Sequence, residues 1–554
     1  MTALPADTSP PRGPAAALAA AAFGGLAQTL AWPPWGWWPL TFVGPALLWL
    51  AVRGRPFRAA FFLGWVYGLA LGLSGFSWLA SVMSGFGGLG PAGGAAVLVL
   101  LAALLALHQG LWAGLVAPWT APGFGGFLAG PLLGALLWTG LDWLKNWLLT
   151  GFNWTPLAGG LSSLPFMLGA ADLVGLYGLT LPTALAAFWL AGLAQLKSRP
   201  RLALRQAVAG LATLTLLASY GLAAQRRWDV DYAARPKRSA AVLQASVPQD
   251  RKWDPRFRDE ILARYETLLT SLTDRRPWLT LWPETAAPFI YGLNVVETDW
   301  LDGLAAKTGL SFMAGVAAAE LDDDGALRLR NRAWLMTPQG PGAFYDKRHL
   351  VPFGEYVPLA DELPFLKWPF VKGLLGAAGD FSPGRRRPPP VFDGVAVGNL
   401  ICFESIFPYL ARQRVLDGAA FLAVTTNDAW FGRSAAPEQH LAQAVMRAVE
   451  TRRPLLRAAN NGLSALVSPS GRLLARTELD QIGAYVYELG LSDPGVLTFY
   501  VRFGWTVAPA AAAATVLTAL LRLGRALRAR RTTRPAGRQK PARPPGSGRR
   551  PQGR

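Results

Sequence analysis

Residues 395–415 read VAVGNLICFESIFPYLARQRV and contain Cys402, the only cysteine among 554 residues. The stretch before Cys402 is apolar and predicts a buried strand. The stretch after it has helical spacing. Strand, sharp turn and helix together expose the side chain at the turn above a sheet. A thiol placed there suits nucleophilic chemistry, with its thiolate favoured by a helix dipole and a nearby cation. A small buried hydrophobe, the usual fate of a lone cysteine, fits the same stretch.

The pattern around Cys402 repeats outward. SAAVLQASV (239–247), WLTLWPET (278–285), LSFMAGVAAAE (310–320), RNRAWLMTP (330–338) and AAFLAVTTNDAW (419–430) read as strands. DPRFRDEILARYETLLTSL (254–272), VETDWLDGLAAKTG (296–309) and PEQHLAQAVMRAVETRR (437–453) read as helices. Such alternation predicts an α/β domain whose sheets are covered by helices.

Composition places this domain beside a membrane. The chain is 52% hydrophobic and only 16% charged, with mean hydropathy +0.25, against about 25% charged in soluble domains. Residues 1–225 are almost continuously apolar. Stretches near 14–32, 38–53, 59–82, 91–118, 123–143, 166–196 and 203–224 approach the ~20 residues that cross a bilayer, and an eighth lies near 503–522. The expected architecture is a membrane domain of about eight transmembrane helices joined to an α/β domain. Its parts are residues 1–227 (seven spans), 228–495 (α/β), 496–524 (last span) and 525–554 (disordered tail).

Charge sets the expected orientation. Arg53, Arg55 and Arg58 follow the second span, and Lys197, Arg199, Arg201 and Arg205 follow the sixth. Residues 522–554 hold twelve Arg and Lys and no acid. The positive-inside rule puts all three groups, and both termini, in the cytoplasm, and residues 228–495 on the outer face. A net charge of +20, with twelve of the basic residues in this tail, points to anionic lipid rather than nucleic acid. One cysteine excludes a disulfide framework, and three scattered histidines (His108, His349, His440) argue against a metal site. His440, on a helix, reads as structural. Asp142, Lys145 and Asp172 are charges within or at the edge of apolar spans, serving function or helix pairing.

Two further groups lie at strand ends. Glu284 closes LTLWPET, where partial desolvation would raise its pKa toward that of a useful base. Lys347 follows a strand in AFYDKRHLVPF, where an ammonium would stabilise a thiolate and an oxyanion. Alone, each also fits a surface or capping role. In the order Glu284, Lys347, Cys402 they resemble the nitrilase (carbon–nitrogen hydrolase) superfamily.

WPET (282–285), YDKRHLVPFGEYVP (345–358), ICFES (401–405), TNDAWFG (426–432), QHLAQAVMRAVETRRPLLRAANNG (439–462) and VLQASVPQDRKWDP (242–255) resemble its apolipoprotein N-acyltransferase branch. GFNWTPLAGG (151–160) and DLVGLYGLT (172–180) are similar to the membrane part of that family. The resemblance implies an αββα sandwich on the periplasmic side of a bacterial inner membrane. It implies Glu284 as general base, Lys347 as oxyanion cation and Cys402 as nucleophile. Glu355, Glu404 and Trp253 match further residues the family needs. Phe403 stands where many members have tyrosine.

The implied reaction moves an acyl chain from a phospholipid, phosphatidylethanolamine, through a Cys402 thioester to the α-amino group of a diacylglyceryl-cysteine lipoprotein. It calls for no metal or organic cofactor, and a monomer suffices. LADELPFLKWPFVKGLLGAAGDFSPG (359–384) reads as an apolar arm, with Phe365, Trp368, Phe370, Leu374 and Leu375, that gates the site against water. A packed amphipathic helix fits it too. A membrane-tethered amidase of the same fold, or a non-enzymatic multi-span protein, remain alternative readings.

Overall fold

The computed structural model describes residues 13–120, 127–360, 362–364 and 381–532. The arm residues Phe365, Trp368, Phe370, Leu374 and Leu375 and the tail from residue 533 lie outside the described residues.

Two sheets form the α/β domain. The first has the strand order Gly483–Gly490, Lys237–Gln244, Leu279–Leu281, Phe312–Leu321, Leu327–Thr337, Gly340–Asp346, with Ala287–Tyr291 also paired to Phe312–Leu321. The second has the order Leu473–Arg476, Ala465–Val467, Leu455–Ala459, Phe421–Thr426, Val395–Ile401, Val391–Phe392. Side chains alternate across a strand, and the burial follows. Ala240, Val242, Val397, Ile401, Phe421, Ala423, Leu456 and Ala458 fill the space between the sheets. Ala241 and Leu243 turn outward onto helices Arg258–Thr270 and Val295–Thr308, meeting Ile261, Tyr265, Leu301 and Leu304. Leu400, Leu422 and Val424 turn to the opposite layer, against Leu410, Leu441 and Val445. The result is a four-layer αββα sandwich.

One outer layer is shared with the apolar helices. In Ala436–Thr451 every residue but Glu438 is buried. Leu441, Ala444, Val445 and Ala448 face the sheet. Ala442, Met446 and Val449, at i, i+4 and i+7, face Trp32, Phe42, Leu168 and Leu179 of the helical bundle.

Each expected span coincides with a helix. Phe57–Gly75, Gly90–Thr120, Ala171–Gln195, Pro200–Ala234 and Gly504–Arg525 are long and apolar enough to cross a membrane, and Pro14–Leu30 and Leu40–Val52 are shorter apolar helices. Ala129–Leu144 has 16 residues. Three boundaries differ from expectation. The third span stops at Gly75, and Trp78–Gly85 forms a separate helix. The expected break at 227/228 falls inside the 35-residue helix Pro200–Ala234. That helix continues because Trp228 and Tyr232, one turn apart, are buried, while Asp229 accepts hydrogen bonds from Ser470 Oγ (2.5 Å) and Arg472 Nη1 (3.0 Å). The last helix runs through residues 525–532, placed in the disordered tail by sequence, to Thr532.

Buried charges join bundle and sandwich. Arg452 pairs with Asp172 at 2.8 Å and Arg447 with Glu450 at 2.9 Å. The helix through Ala171–Leu190 breaks at Gly175 (φ 72°), and the freed N–H of Leu176 donates to Glu450 Oε1 at 2.7 Å. Asp142 pairs with Lys145 at 2.7 Å and accepts from Leu157 N at 3.0 Å. An unpaired ion at such depth would cost several kcal/mol. These buried charges thus pair one element with another.

Candidate active site

Glu284, Lys347 and Cys402 arrive from three strand ends, as their positions in sequence predict. Lys347 follows Gly340–Asp346. Its ammonium lies 2.9 Å from Glu284 Oε1 and 2.9 Å from Glu355 Oε2. It is 1% exposed. Asn331, on Leu327–Thr337, donates from Nδ2 to both carboxylates, at 2.7 Å to Glu284 and 2.8 Å to Glu355. Glu355 Oε2 also accepts from Val351 N at 2.8 Å, which fixes the loop carrying it. The second oxygen of Glu284 accepts from Asn427 N at 3.1 Å.

Cys402 is buried and opens a five-residue 3-10 turn, Cys402–Ile406, with φ +52°. This left-handed backbone is unusual for a residue with a Cβ. Strand Val395–Ile401 ends at the residue before it. The helix Pro408–Leu416 starts only after the 3-10 turn, so its dipole does not begin at Cys402. The nearby cation, Lys347, is the effective one. Burial and Glu284 push the Cys402 thiol up, against a smaller opposing pull from Lys347. The resting group is a thiol that needs a base.

Glu284 departs from expectation. Burial pushes its carboxyl up, but Lys347, Lys252 and Asn331 together outweigh burial and hold it below the usual range. Burial likewise disfavours the Lys347 ammonium, yet Glu284 and Glu355 keep it well above its ordinary value. The site is poised as carboxylate, ammonium and thiol.

Glu404 acts through the backbone. Its carboxylate accepts from Tyr345 Oη (2.9 Å), Arg348 N (2.7 Å), His349 N (3.2 Å) and Ile401 N (2.8 Å). These bonds tie the segment after Lys347 to the turn of Cys402. Phe403 is 6% exposed and packs on Phe152, His349 and Phe407, with ring centroids 6.4, 5.7 and 5.1 Å away. A phenyl ring satisfies this apolar seat.

Trp253 is 44% exposed, whereas its neighbour Lys252 is 1% exposed. Lys252 Nζ donates to the main-chain oxygen of Glu284 at 3.0 Å. Burial lowers its pKa to about 8, with Glu284 and Cys402 opposing. Sequence reasoning selected Trp253 and missed Lys252, Asn331 and Asn427. The signal available for Lys252 was slight: a lysine at the end of a polar turn, following a strand that ends beside the WPET segment.

A thiol, a carboxylate and an ammonium at the strand ends of a two-sheet sandwich are the arrangement expected of a carbon–nitrogen hydrolase fold. Residues 239–494 match the carbon–nitrogen hydrolase family model, and residues 24–189 match the apolipoprotein N-acyltransferase N-terminal domain. An apolipoprotein N-acyltransferase of Geobacter metallireducens is 36% identical over 508 residues, covering 90% of this chain and 94% of the relative. One from Azotobacter vinelandii is 36% identical over 535 residues, covering 94% and 96%. Saccharomyces cerevisiae Nit3, a solved structure of the nitrilase superfamily, is 18% identical over 46% of this chain and 90% of its own, with a TM-score of 0.36. The chain belongs to the apolipoprotein N-acyltransferase family, and it is an acyltransferase.

Proposed function

We propose that this chain transfers an acyl group from a phospholipid, through a thioester on Cys402, to the α-amino group of a diacylglyceryl-cysteine lipoprotein. The observation that carries this reading is the seat of the nucleophile's turn on the apolar bundle. Phe403 stacks on Phe152, and Trp154 Nε1 donates to Gln439 Oε1 at 2.8 Å. A lipid-borne ester thereby has a short route to a thiol that water reaches poorly.

In the first half-reaction Glu284 takes the Cys402 proton, and the thiolate attacks the ester carbonyl. Lys347 and a backbone N–H hold the oxyanion. The C–O bond breaks, the lysophospholipid alkoxide takes the proton from Glu284, and the thioester remains. In the second, the amine attacks the thioester and gives its proton to Glu284, and the thiolate leaves and is reprotonated. Glu355 holds Lys347 from the other side. Glu404 holds the turn. Phosphatidylethanolamine is the donor of choice. Eight helices cross the inner membrane of a bacterium with both termini in the cytoplasm and the sandwich in the periplasm. Residues 359–384 serve as the gating arm. The protein works as a monomer.

Intact-mass spectrometry tests this. Wild-type protein with phosphatidylethanolamine and no acceptor gains one acyl chain, which hydroxylamine or a diacylated lipopeptide removes; Cys402→Ala gains none. Wild-type protein that binds lipid and gains no mass ends the proposal.

A further inference from the structure

Three buried side chains stand behind the nucleophile and have no part in the steps above. His440, on Ala436–Thr451, places Nε2 3.0 Å from the main-chain oxygen of Cys402 and 2.9 Å from Ser405 Oγ. Its Nδ1 lies between Asp428 Oδ1 at 3.0 Å and Arg457 Nη2 at 3.1 Å. Arg457 Nη2 also donates to Asp428 Oδ2 at 2.7 Å. All three residues are at most 1% exposed.

Ser405, His440 and Asp428 are connected as in a hydrolytic triad, yet Ser405 cannot act as one. It is fully buried, and its hydroxyl donates to the Cys402 oxygen at 2.8 Å. Both Ser405 and His440 therefore serve the carbonyl of the nucleophile itself. A carbonyl only accepts, so the ring tautomer with hydrogen on Nε2 fits there; Nδ1 then accepts from Arg457 Nη2, which Asp428 Oδ2 holds in turn.

The peptide bond that follows is planar and trans, so its C=O and N–H point in opposite directions. Two donors on the Cys402 oxygen fix that plane. The N–H of Phe403 must then point away from His440, and at the second position of a 3-10 turn it has no partner within the turn. Cys402 also holds φ +52°, a conformation that persists only where surrounding contacts determine it. We propose that His440, held by Arg457, which Asp428 orients, is a positioning residue. It locks the Cys402–Phe403 peptide so that the Phe403 N–H is the oxyanion donor acting with Lys347. This inference rests on the acyl-transfer reading above.

Cys402 is the chain's single thiol, so two reactions can be read at one atom. Acylation by phosphatidylethanolamine passes through an oxyanion; alkylation by iodoacetamide does not. Both rates are measured by intact mass on the full chain in detergent, for wild type, His440→Leu and His440→Gln. Removing an oxyanion donor costs about 100- to 1000-fold, so loosening one predicts a loss of about 10- to 100-fold in acylation for His440→Leu. Its alkylation rate stays near that of wild type. His440→Gln, whose amide N–H can meet the same carbonyl, recovers most of the acylation. Unchanged acylation in His440→Leu, or a parallel fall in both rates, overturns the positioning role. Wild-type protein that alkylates but never acylates removes the acyl-transfer reading, and this role with it.

Discussion

Lys347 and Glu284 meet through one oxygen: the ammonium lies 2.9 Å from Oε1, while Oε2 meets only a main-chain N–H, that of Asn427, among the described residues. One half of the carboxylate is occupied with holding a cation. The other half is the one we propose takes the proton from Cys402. Glu284→Gln keeps the shape and leaves Lys347 paired with Glu355. It lowers thioester formation by about 100- to 10,000-fold, the range a positioned base supplies. Intact-mass kinetics checks this, with a melting curve near that of wild type as the control. A variant that still acylates at the wild-type rate would show that another group takes the proton.

The left-handed backbone at Cys402 carries a cost of about 1–2 kcal/mol for a residue with a Cβ. Glycine does not bear it. Cys402→Gly and Cys402→Ala both lose the thiol. The glycine variant is therefore the more stable of the two, by about 1 kcal/mol. Thermal denaturation in detergent compares them. Equal melting points would mean the turn relaxes once the thiol is gone.

Lys252 makes stability depend on pH. In the folded protein its pKa is about 8, against about 10.4 in an unfolded chain. Between those values the unfolded chain binds more protons, so stability rises with pH across that window. Lys252→Met removes this rise. Isothermal denaturation at pH 7.5 and 9.5 gives the slope for each protein. An identical slope in the variant would assign the proton elsewhere.

Glu450 serves two partners, Arg447 at 2.9 Å and the N–H of Leu176 at 2.7 Å. Glu450→Ala leaves a buried guanidinium and an uncapped half-helix. The expected loss is about 3–5 kcal/mol. Protease digestion in detergent should then cut the chain between bundle and sandwich, where the wild type resists. Wild-type resistance in the variant would show that apolar packing alone holds the two together.

Much of this was legible in sequence because strands announce themselves. Cys402, Glu284 and Lys347 each end an apolar run, so their convergence followed from the sandwich once the alternation was seen. What could not be read is polar and non-local. Asn331 sits among arginines in LRLRNRAW, and its amide finds two carboxylates 47 and 24 residues away. Lys252 looks like a surface lysine until its partner, the carbonyl of Glu284, is placed. The pKa of Glu284 differs from expectation for the same reason: desolvation is visible in an apolar strand, while Lys347, and after it Lys252 and Asn331, come from elsewhere in the chain. The helix Pro200–Ala234 outran its hydropathy because Trp228 and Tyr232 keep it packed after the apolar stretch ends.

Helix Ala436–Thr451 faces the second sheet on one side and the apolar bundle on the other. A layer with two neighbours cannot melt away from one without abandoning the other. Bundle and sandwich are thus expected to unfold together. Residues 239–494 expressed alone would open Ala442, Met446 and Val449 to water along a face shaped for Trp32 and Phe42. The same helix carries His440 to the back of Cys402. Detergents or lipids that loosen the bundle are therefore expected to be felt at the thiol as well.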